Sequence, residues 1–200
     1  MAHDGTSRSQ RSEQPERRQR RSDPDRARRI LTAAVECIAV AGVAGATHRA
    51  IAQRADVPLG SVTYHFASIE DVVERAFGVF VDEQNHVYAD LFTGVGSRNE
   101  LMNVLVRLVV GGAARSRSAA LGFELHLAAL HRPGLRPLVE AWTLQSRATL
   151  AAHVGSLDAA RLDALLEGMI LQSLLSTTPV DESVIRSVLD PVVPQWSGRT

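Results

Sequence analysis

Residues 47–66 read THRAIAQRADVPLGSVTYHF and contain the signals of two short helices joined by a tight turn. Thr47 is a favourable N-cap, because its hydroxyl can accept a hydrogen bond from a backbone N–H group one turn later. Ile51, Ala52 and Ala55 then fall on one face of the first helix. The spacing predicts a short helix that buries one narrow apolar face and leaves its polar face in solvent.

The turn between the two helices is predicted at Asp56, since aspartate tolerates the left-handed conformation in which many helices end. Val57 would fill the turn with an apolar side chain, and Pro58 would occupy the first position of the second helix. In that helix Val62 and Phe66 are four residues apart and would face inward together. The small or hydrogen-bonding residues around them suit a DNA major groove. The stretch therefore predicts a helix-turn-helix.

These residues resemble the tetracycline-repressor (TetR) family of one-component bacterial regulators. The resemblance covers about residues 26–74, and the rest of the chain is similar only in length and in its helical pattern. It depends on Ala33-Ala34, Gly42, Thr47, Ile51-Ala52, Val57, Gly60, Tyr64-His65-Phe66 and Asp71.

Three positions depart from the family pattern. Asp56 stands where a glycine is usual at the turn, and Thr63 replaces a tyrosine that is usual on the recognition helix. Ile69 stands where the family usually has a phosphate-contacting lysine. The first two changes are compatible with the fold, and the third removes one expected phosphate contact.

The DNA contacts are predicted on the second helix and at the start of the first. Ser61 and Thr63 are assigned to base edges or thymine methyl groups, while Arg49 and Tyr64 are assigned to phosphates. His65 is also assigned to a phosphate, with a core or capping histidine as the alternative. The full predicted set is Thr47, Arg49, Leu59, Ser61, Thr63, Tyr64 and His65.

Composition and charge agree with a helical DNA-binding protein. Aromatic residues make up only 4% of the 200 residues, so an aliphatic, alanine-rich core is expected, which favours helices. The net charge is zero, yet residues 1–66 hold 11 arginines against 7 acidic residues, and residues 67–200 hold 11 against 15. Cys37 is the only cysteine, which excludes an intramolecular disulfide and predicts a cytoplasmic protein.

Three segments are predicted. Residues 1–23 form a basic arm that is disordered when free and either follows DNA phosphates or inserts an arginine into a narrow minor groove, the alternative being a solvated tail. Residues 24–67 form the helix-turn-helix domain, and residues 68–200 form a ligand-binding and dimerisation domain. No strand-like alternation occurs, so the fold class is all-α. Outside the helix-turn-helix, helices are predicted over residues 25–41, 68–92, 99–114, 118–131, 135–153, 157–176 and 181–192.

The resemblance implies a small-molecule cavity between the helices of residues 99–172. Polar and aromatic residues set among aliphatic ones are the candidates for its lining, because small-molecule sites are mostly apolar with a few polar groups. The alternative for each residue is simple core packing or an exposed face. The candidates are Phe123, His126, Trp142, Gln145 and Gln172, with Glu124 and Leu127 beside them.

The resemblance also implies a homodimer in which the last two helices pair with those of a second copy. Residues 162–175 and 184–189 present more apolar surface than one side of a small bundle can bury. The alternative is a fully internal helix pair. A twofold protein matches a palindromic DNA site with half-sites about one helical turn apart.

The predicted function is a transcription regulator, most often a repressor, that binds a palindromic double-stranded operator and is released by an unknown small molecule. A DNA-binding regulator without an effector, either constitutive or architectural, is the alternative. An enzyme with a fused helix-turn-helix is the third class, but the sequence contains no catalytic motif. No cofactor, zinc site or membrane contact is expected.

Overall fold

The computed structural model describes residues 25–195, and the predicted basic arm lies outside them. Within these residues the chain folds into nine α-helices without a strand, which confirms the all-α class. A short 3₁₀ turn, Pro133–Leu135, lies between the sixth and seventh helices. The helices are α1 (Arg26–Gly45), α2 (His48–Arg54), α3 (Leu59–His65), α4 (Ile69–Leu91), α5 (Arg98–Val110), α6 (Ala113–His131), α7 (Arg136–Val154), α8 (Ser156–Leu175) and α9 (Glu182–Leu189).

The head, α1–α3, contains the predicted helix-turn-helix. The Thr47 hydroxyl accepts a hydrogen bond from Ala50 N–H at 3.2 Å and caps α2. Asp56 has φ 51°, the left-handed conformation expected at the turn. Pro58 differs from its predicted place by one residue: its ψ of 142° is extended, so it precedes α3 as the N-cap. Val62 and Phe66 are buried, as predicted.

Helix α1 was predicted to end at Ala41, and its regular part does end there. Ala41 has φ −133° and Gly42 has φ 66°, after which one further helical turn runs to Gly45. The N–H group of Val43 begins this new turn and would lack an intrahelical partner. It donates instead to Glu124 Oε1 of α6 at 2.9 Å. A carboxylate of the body therefore caps a turn of the head.

Helix α4 connects the head to the body. Ser68 accepts from Asp71 N–H at 3.2 Å and caps the helix, and Asp71 Oδ2 accepts from Ala67 N–H, the residue before the cap, at 3.0 Å. One continuous core joins α1–α4 to α6, and a second core joins α5, α8 and α9 to the end of α7. The buried residues of α4 in the first core include Val73, Ala76, Phe77 and Phe80.

The body differs from the prediction at two helix boundaries. Helix α5 ends at Val110 rather than at residue 114, because Gly111 adopts φ 60° and α6 starts directly after Gly112. Residues 113–117 thus belong to α6. Helix α9 ends at Leu189 rather than at residue 192, because Pro191 cannot donate the next helical hydrogen bond.

Among the helices of residues 25–195, none combines the length and the hydropathy that a membrane span requires.

Candidate DNA-binding face and ligand cavity

The seven residues predicted to contact DNA lie at the surface of the head. Thr47, Arg49, Thr63 and the side chains of Leu59 and Tyr64 are exposed, the tyrosine by 83%. The remaining two, Ser61 and His65, are partly exposed. The structure therefore brings the predicted set to the outer side of α3 and the start of α2.

Two further side chains near this face have structural partners. Arg54 at the end of α2 donates to Glu36 of α1 at 3.0 Å, which ties the two helices together. Ile69, at the position of the family's lysine, packs partly buried against the head core. Its apolar side chain thus contributes to the junction of α3 and α4.

A cavity of about 110 Å³ lies in the body between α4, α5, α6, α7 and α8. Of the predicted residues, Phe123, His126 and Trp142 line it. Gln145 and Gln172 are exposed and do not belong to its lining. Gln172 follows the lining residue Ile170 by two positions, which turns it by about 200° around the axis of α8.

Phe123, His126 and Trp142 form an aromatic wall of the cavity, and the position of Trp142 in it depends on a glycine. The ring of Trp142 lies edge-on to Phe80 and tilted against His126, with centroid distances of 5.7 Å in both cases. A Cβ atom on Gly122 would lie 2.8 Å from the Trp142 indole. Gly122 therefore allows α6 and α7 to approach closely enough for this stacking.

The acidic end of the cavity is formed by Asp163 and Glu167, one turn apart on α8. Asp163 is only 4% exposed and accepts from Ser146 Oγ and Arg147 Nε, both at 2.8 Å. Glu167 is half-buried, and its Oε1 lies 3.8 Å from His126 Nε2. Burial, helped by the charge of Asp163, raises the pKa of Glu167. Protonation of this carboxylate is thus favoured by its surroundings.

The orientation of His126 follows from its backbone contact. Its Nδ1 lies 2.8 Å from the carbonyl oxygen of Gly122, so Nδ1–H is the donor and Nε2 faces Glu167. The imidazole connects the aromatic wall to the acidic end.

The opposite end of the cavity is basic and was not predicted from the sequence. Arg115 lines it beside Tyr88, and burial raises the pKa of Tyr88 to about 12. Burial also lowers the pKa of Arg115. The sequence contains one indication of Arg115, Asp163 and Glu167. Each is a charged residue in a helical stretch of otherwise apolar or small residues.

In residues 25–195, no three histidine, cysteine, aspartate or glutamate side chains come close enough together to hold a metal ion.

The head and the body each match a known protein family. Residues 30–76 match the model described as bacterial regulatory proteins of the tetR family, and residues 96–195 match the tetracyclin repressor-like C-terminal domain. The chain belongs to the TetR family of transcriptional regulators.

Solved structures of TetR-like regulators are similar over most of the chain. A transcriptional regulator from Streptomyces coelicolor A3(2) is 34% identical with a TM-score of 0.77, over 86% of this chain and 100% of that one. A TetR member from Streptomyces coelicolor A3 is 38% identical with a TM-score of 0.69, over 86% and 99%. The multidrug binding protein EbrR, complexed with ethidium, is 38% identical with a TM-score of 0.70, over 86% and 99%. Among curated proteins, no sequence matches significantly.

Family membership explains why the head and the body contain different sites. In this TetR regulator the head contains the helix-turn-helix that binds DNA, and the body contains the cavity. The long helix α4 belongs to both units, because its first turns pack in the head core and Gln84, Asn85 and Tyr88 line the cavity.

The raised pKa of Glu167 predicts a pH-dependent stability. The partly desolvated carboxylate destabilises the fold when it is charged, so this cost is present above its folded pKa and absent below its unfolded value of 4.5. We expect Glu167→Gln to raise the melting temperature at pH 7 and to have no such effect below about pH 4. Thermal melts followed by circular dichroism from pH 4 to pH 8 measure this difference.

The matched control is Glu140→Gln, which changes an exposed glutamate on α7. We expect no comparable gain at pH 7 for this variant. A lower melting temperature for Glu167→Gln at pH 7, or a gain that persists unchanged at pH 4, would contradict the prediction.

Proposed function

We propose that this TetR regulator is a homodimeric repressor that binds a palindromic operator and is released by an aromatic cation. The observation that supports the ligand class is the pairing of an aromatic wall with two carboxylates, Asp163 and Glu167, in one cavity. Residues 24–67 are the proposed DNA-binding unit, and residues 68–200 the proposed ligand-binding and dimerisation unit.

The proposed DNA contacts divide into two groups. Arg49 and Thr47, at the start of α2, and Tyr64 and His65, at the end of α3, bind phosphates and set the position of the head. Ser61 and Thr63 read base edges, as does the exposed side chain of Leu59 through apolar contact with thymine. Support comes from the exposure of this set around the buried Val62 and Phe66.

The proposed dimer interface is an exposed apolar stripe on α8 and α9. Leu171 and Leu175 on α8 are 40% and 75% exposed, and Val184 and Val188 on α9 are 53% and 39% exposed. Gly168 continues the stripe on α8, and an added Cβ there would meet nothing within 4 Å. Contiguous exposed apolar surface of this kind marks a protein interface, and a twofold pairing presents two heads to one operator.

The proposed ligand class follows from the chemistry of the cavity. Aromatic faces attract a cation placed over them, and a carboxylate adds a charge-assisted contact. EbrR, a relative of similar sequence, has been crystallised with proflavin, ethidium and malachite green, all of which are aromatic cations. Drug-sized ligands fill pockets of roughly 300–1,000 Å³. A cavity of about 110 Å³ must therefore widen to admit such a dye.

The proposed coupling between cavity and head runs through α6. Phe123 and His126 line the cavity, and Glu124 between them accepts from Val43 N–H in the head. When a ligand moves α6 outward, this contact moves or breaks and the head is displaced. Binding of ligand and operator is then reciprocally coupled, typically by about 1–3 kcal/mol.

A regulator without an effector is the remaining candidate. It is favoured if aromatic cations bind the protein without changing its affinity for the operator.

Arg49→Ala tests the phosphate assignment. Loss of one phosphate contact should weaken binding to all duplexes by a similar factor, about tenfold, and should reduce the salt slope by about 1. The operator is first obtained by selection of bound sequences from random duplexes, for which we expect a palindromic consensus. Affinity is then measured by fluorescence anisotropy at several salt concentrations.

The control is Arg107→Ala, which changes an exposed arginine on α5. Unchanged affinity and slope for Arg49→Ala would show that Arg49 does not contact DNA.

Leu175→Glu tests the dimer interface. A charge in the middle of an apolar contact must be desolvated, so the variant should sediment at the chain mass of 21.6 kDa while the wild type sediments at twice that mass. Analytical ultracentrifugation distinguishes the two. Leu127→Glu, which changes a leucine of α6 that is 58% exposed, should remain a dimer. A dimeric Leu175→Glu would place the interface elsewhere.

Glu124→Ala tests the coupling. At saturating malachite green we expect the wild type to lose at least tenfold in operator affinity. The alanine variant should bind the dye equally well and lose less than threefold, because the dye no longer acts on Val43. Dye binding is measured by calorimetry on free protein, and operator affinity by anisotropy.

Two controls accompany this experiment. Glu124→Gln keeps an acceptor oxygen and should retain most of the coupling. The double variant Asp163→Asn with Glu167→Gln should bind the dye weakly, and any release that it still shows measures the effect of the dye on DNA itself. If Glu124→Ala is released as readily as the wild type, α6 does not transmit the signal through Glu124.

A further inference from the structure

The basic end of the cavity contains Arg115, a partly buried cation whose side chain has one unsatisfied hydrogen-bond donor. The Nε atom of Arg115 is buried and has no hydrogen-bond partner among the described residues. A buried polar group without a partner destabilises the fold, and a buried charge does so more strongly. Burial lowers the pKa of Arg115, and Tyr88 opposes this shift without help from a carboxylate of residues 25–195.

The histidine that contacts Glu167 is well separated from Arg115 along α6. Along α6, Arg115 and His126 are eleven residues apart, which corresponds to about 16 Å at 1.5 Å per residue. Tyr88 is near both Asp163 and Arg115, since the two charges affect the pKa of its hydroxyl in opposite directions. The cavity lining therefore carries a positive charge at Arg115 and negative charges at Asp163 and Glu167, together with aromatic side chains.

We propose that the ligand of this cavity is an aromatic zwitterion, with a basic nitrogen at Asp163 and Glu167 and a carboxylate at Arg115. The inference rests on the proposed function and specifies its ligand. A guanidinium binds a carboxylate through parallel N–H donors, which supplies the partner that Arg115 Nε lacks. Gln84, Asn85 and Ser118 line the same cavity and offer further polar contacts.

A ligand that carries only a positive charge finds partners at the acidic end of this cavity but provides none for Arg115. It adds a positive charge beside Asp163, which already pairs with Arg147, and beside Glu167, but it supplies no acceptor for Arg115 Nε. A ligand with a positive and a negative charge can pair with the carboxylates at one end and with Arg115 at the other, provided that a rigid ring system holds its charges apart. A carboxylate at the far end of the ligand should therefore increase affinity, whereas in a uniformly acidic cavity it would decrease affinity.

The test compares ciprofloxacin with its methyl ester, using titration calorimetry on the full chain at pH 7. Ciprofloxacin carries an ammonium group and a carboxylate at opposite ends of a bicyclic aromatic system, and the ester keeps only the cation. We expect the zwitterion to bind the wild type at least tenfold more tightly than the ester. Arg115→Gln should remove this preference, so that ciprofloxacin and its ester bind the variant within about twofold of each other.

Two variants serve as controls. Arg117→Gln changes an exposed arginine on the same helix and should keep the preference. Arg115→Lys keeps the charge without the forked donors and should retain part of it. The comparison of the two compounds on the wild type does not depend on any variant being folded.

Each other outcome overturns the inference. If the ester binds as tightly as ciprofloxacin, or if Arg115→Gln strengthens both compounds, Arg115 does not bind an anion. If malachite green binds and neither quinolone does, the zwitterion is excluded while the proposed cation-binding function stands. If malachite green also fails to bind, the proposed function itself is wrong.

Discussion

The hydrogen bond from Val43 N–H to the Glu124 carboxylate fixes how α1 of the head meets α6 of the body, on the core that α1–α4 share with α6. It exists because Gly42 takes a positive φ and interrupts α1, which leaves the next turn with an uncapped N–H group. A side chain at Gly42 would be strained by φ 66° and would place its Cβ 3.1 Å from Glu124 Oε1. The single glycine thus interrupts α1 and also leaves room for the Glu124 carboxylate that accepts from Val43 N–H.

Local signals in the sequence predicted the head with little error, because each of its boundaries has a nearby chemical cause. Thr47 and Ser68 cap their helices with their own hydroxyl groups, and Asp56 supplies the left-handed turn. Such interactions span three or four residues and are visible in the chain. The end of the regular part of α1 at Ala41 was also predicted. The hydrogen-bond partner of Val43 was not, since it lies 81 residues away in the chain and nothing local connects Val43 to Glu124.

The cavity was harder to predict because its lining depends on how five helices are rotated about their axes. Phe123, His126 and Trp142 were found from their aromatic character alone, whereas Gln145 and Gln172 are polar residues of the same helices that face solvent. A shift of one or two positions along a helix turns a side chain by about 100–200°. The buried carboxylate of Asp163 was missed, because a charged residue in a sequence is ordinarily assigned to the surface.

The small size and the buried charges of the cavity together explain how a ligand could act as a switch. A ligand shifts an equilibrium only if it binds one conformation better than the other. A cavity of about 110 Å³ is smaller than a drug-sized ligand needs, so in the proposed mechanism the ligand binds a widened state better than the present one. Contacts between the ligand and the charged and aromatic lining would offset the free energy that widening costs. In the proposed mechanism α6 is the wall that moves, and because Glu124 lies on it, the conformation that accepts the ligand also releases the Val43 cap. Ligand affinity and the position of the head would then be set by the same displacement of α6.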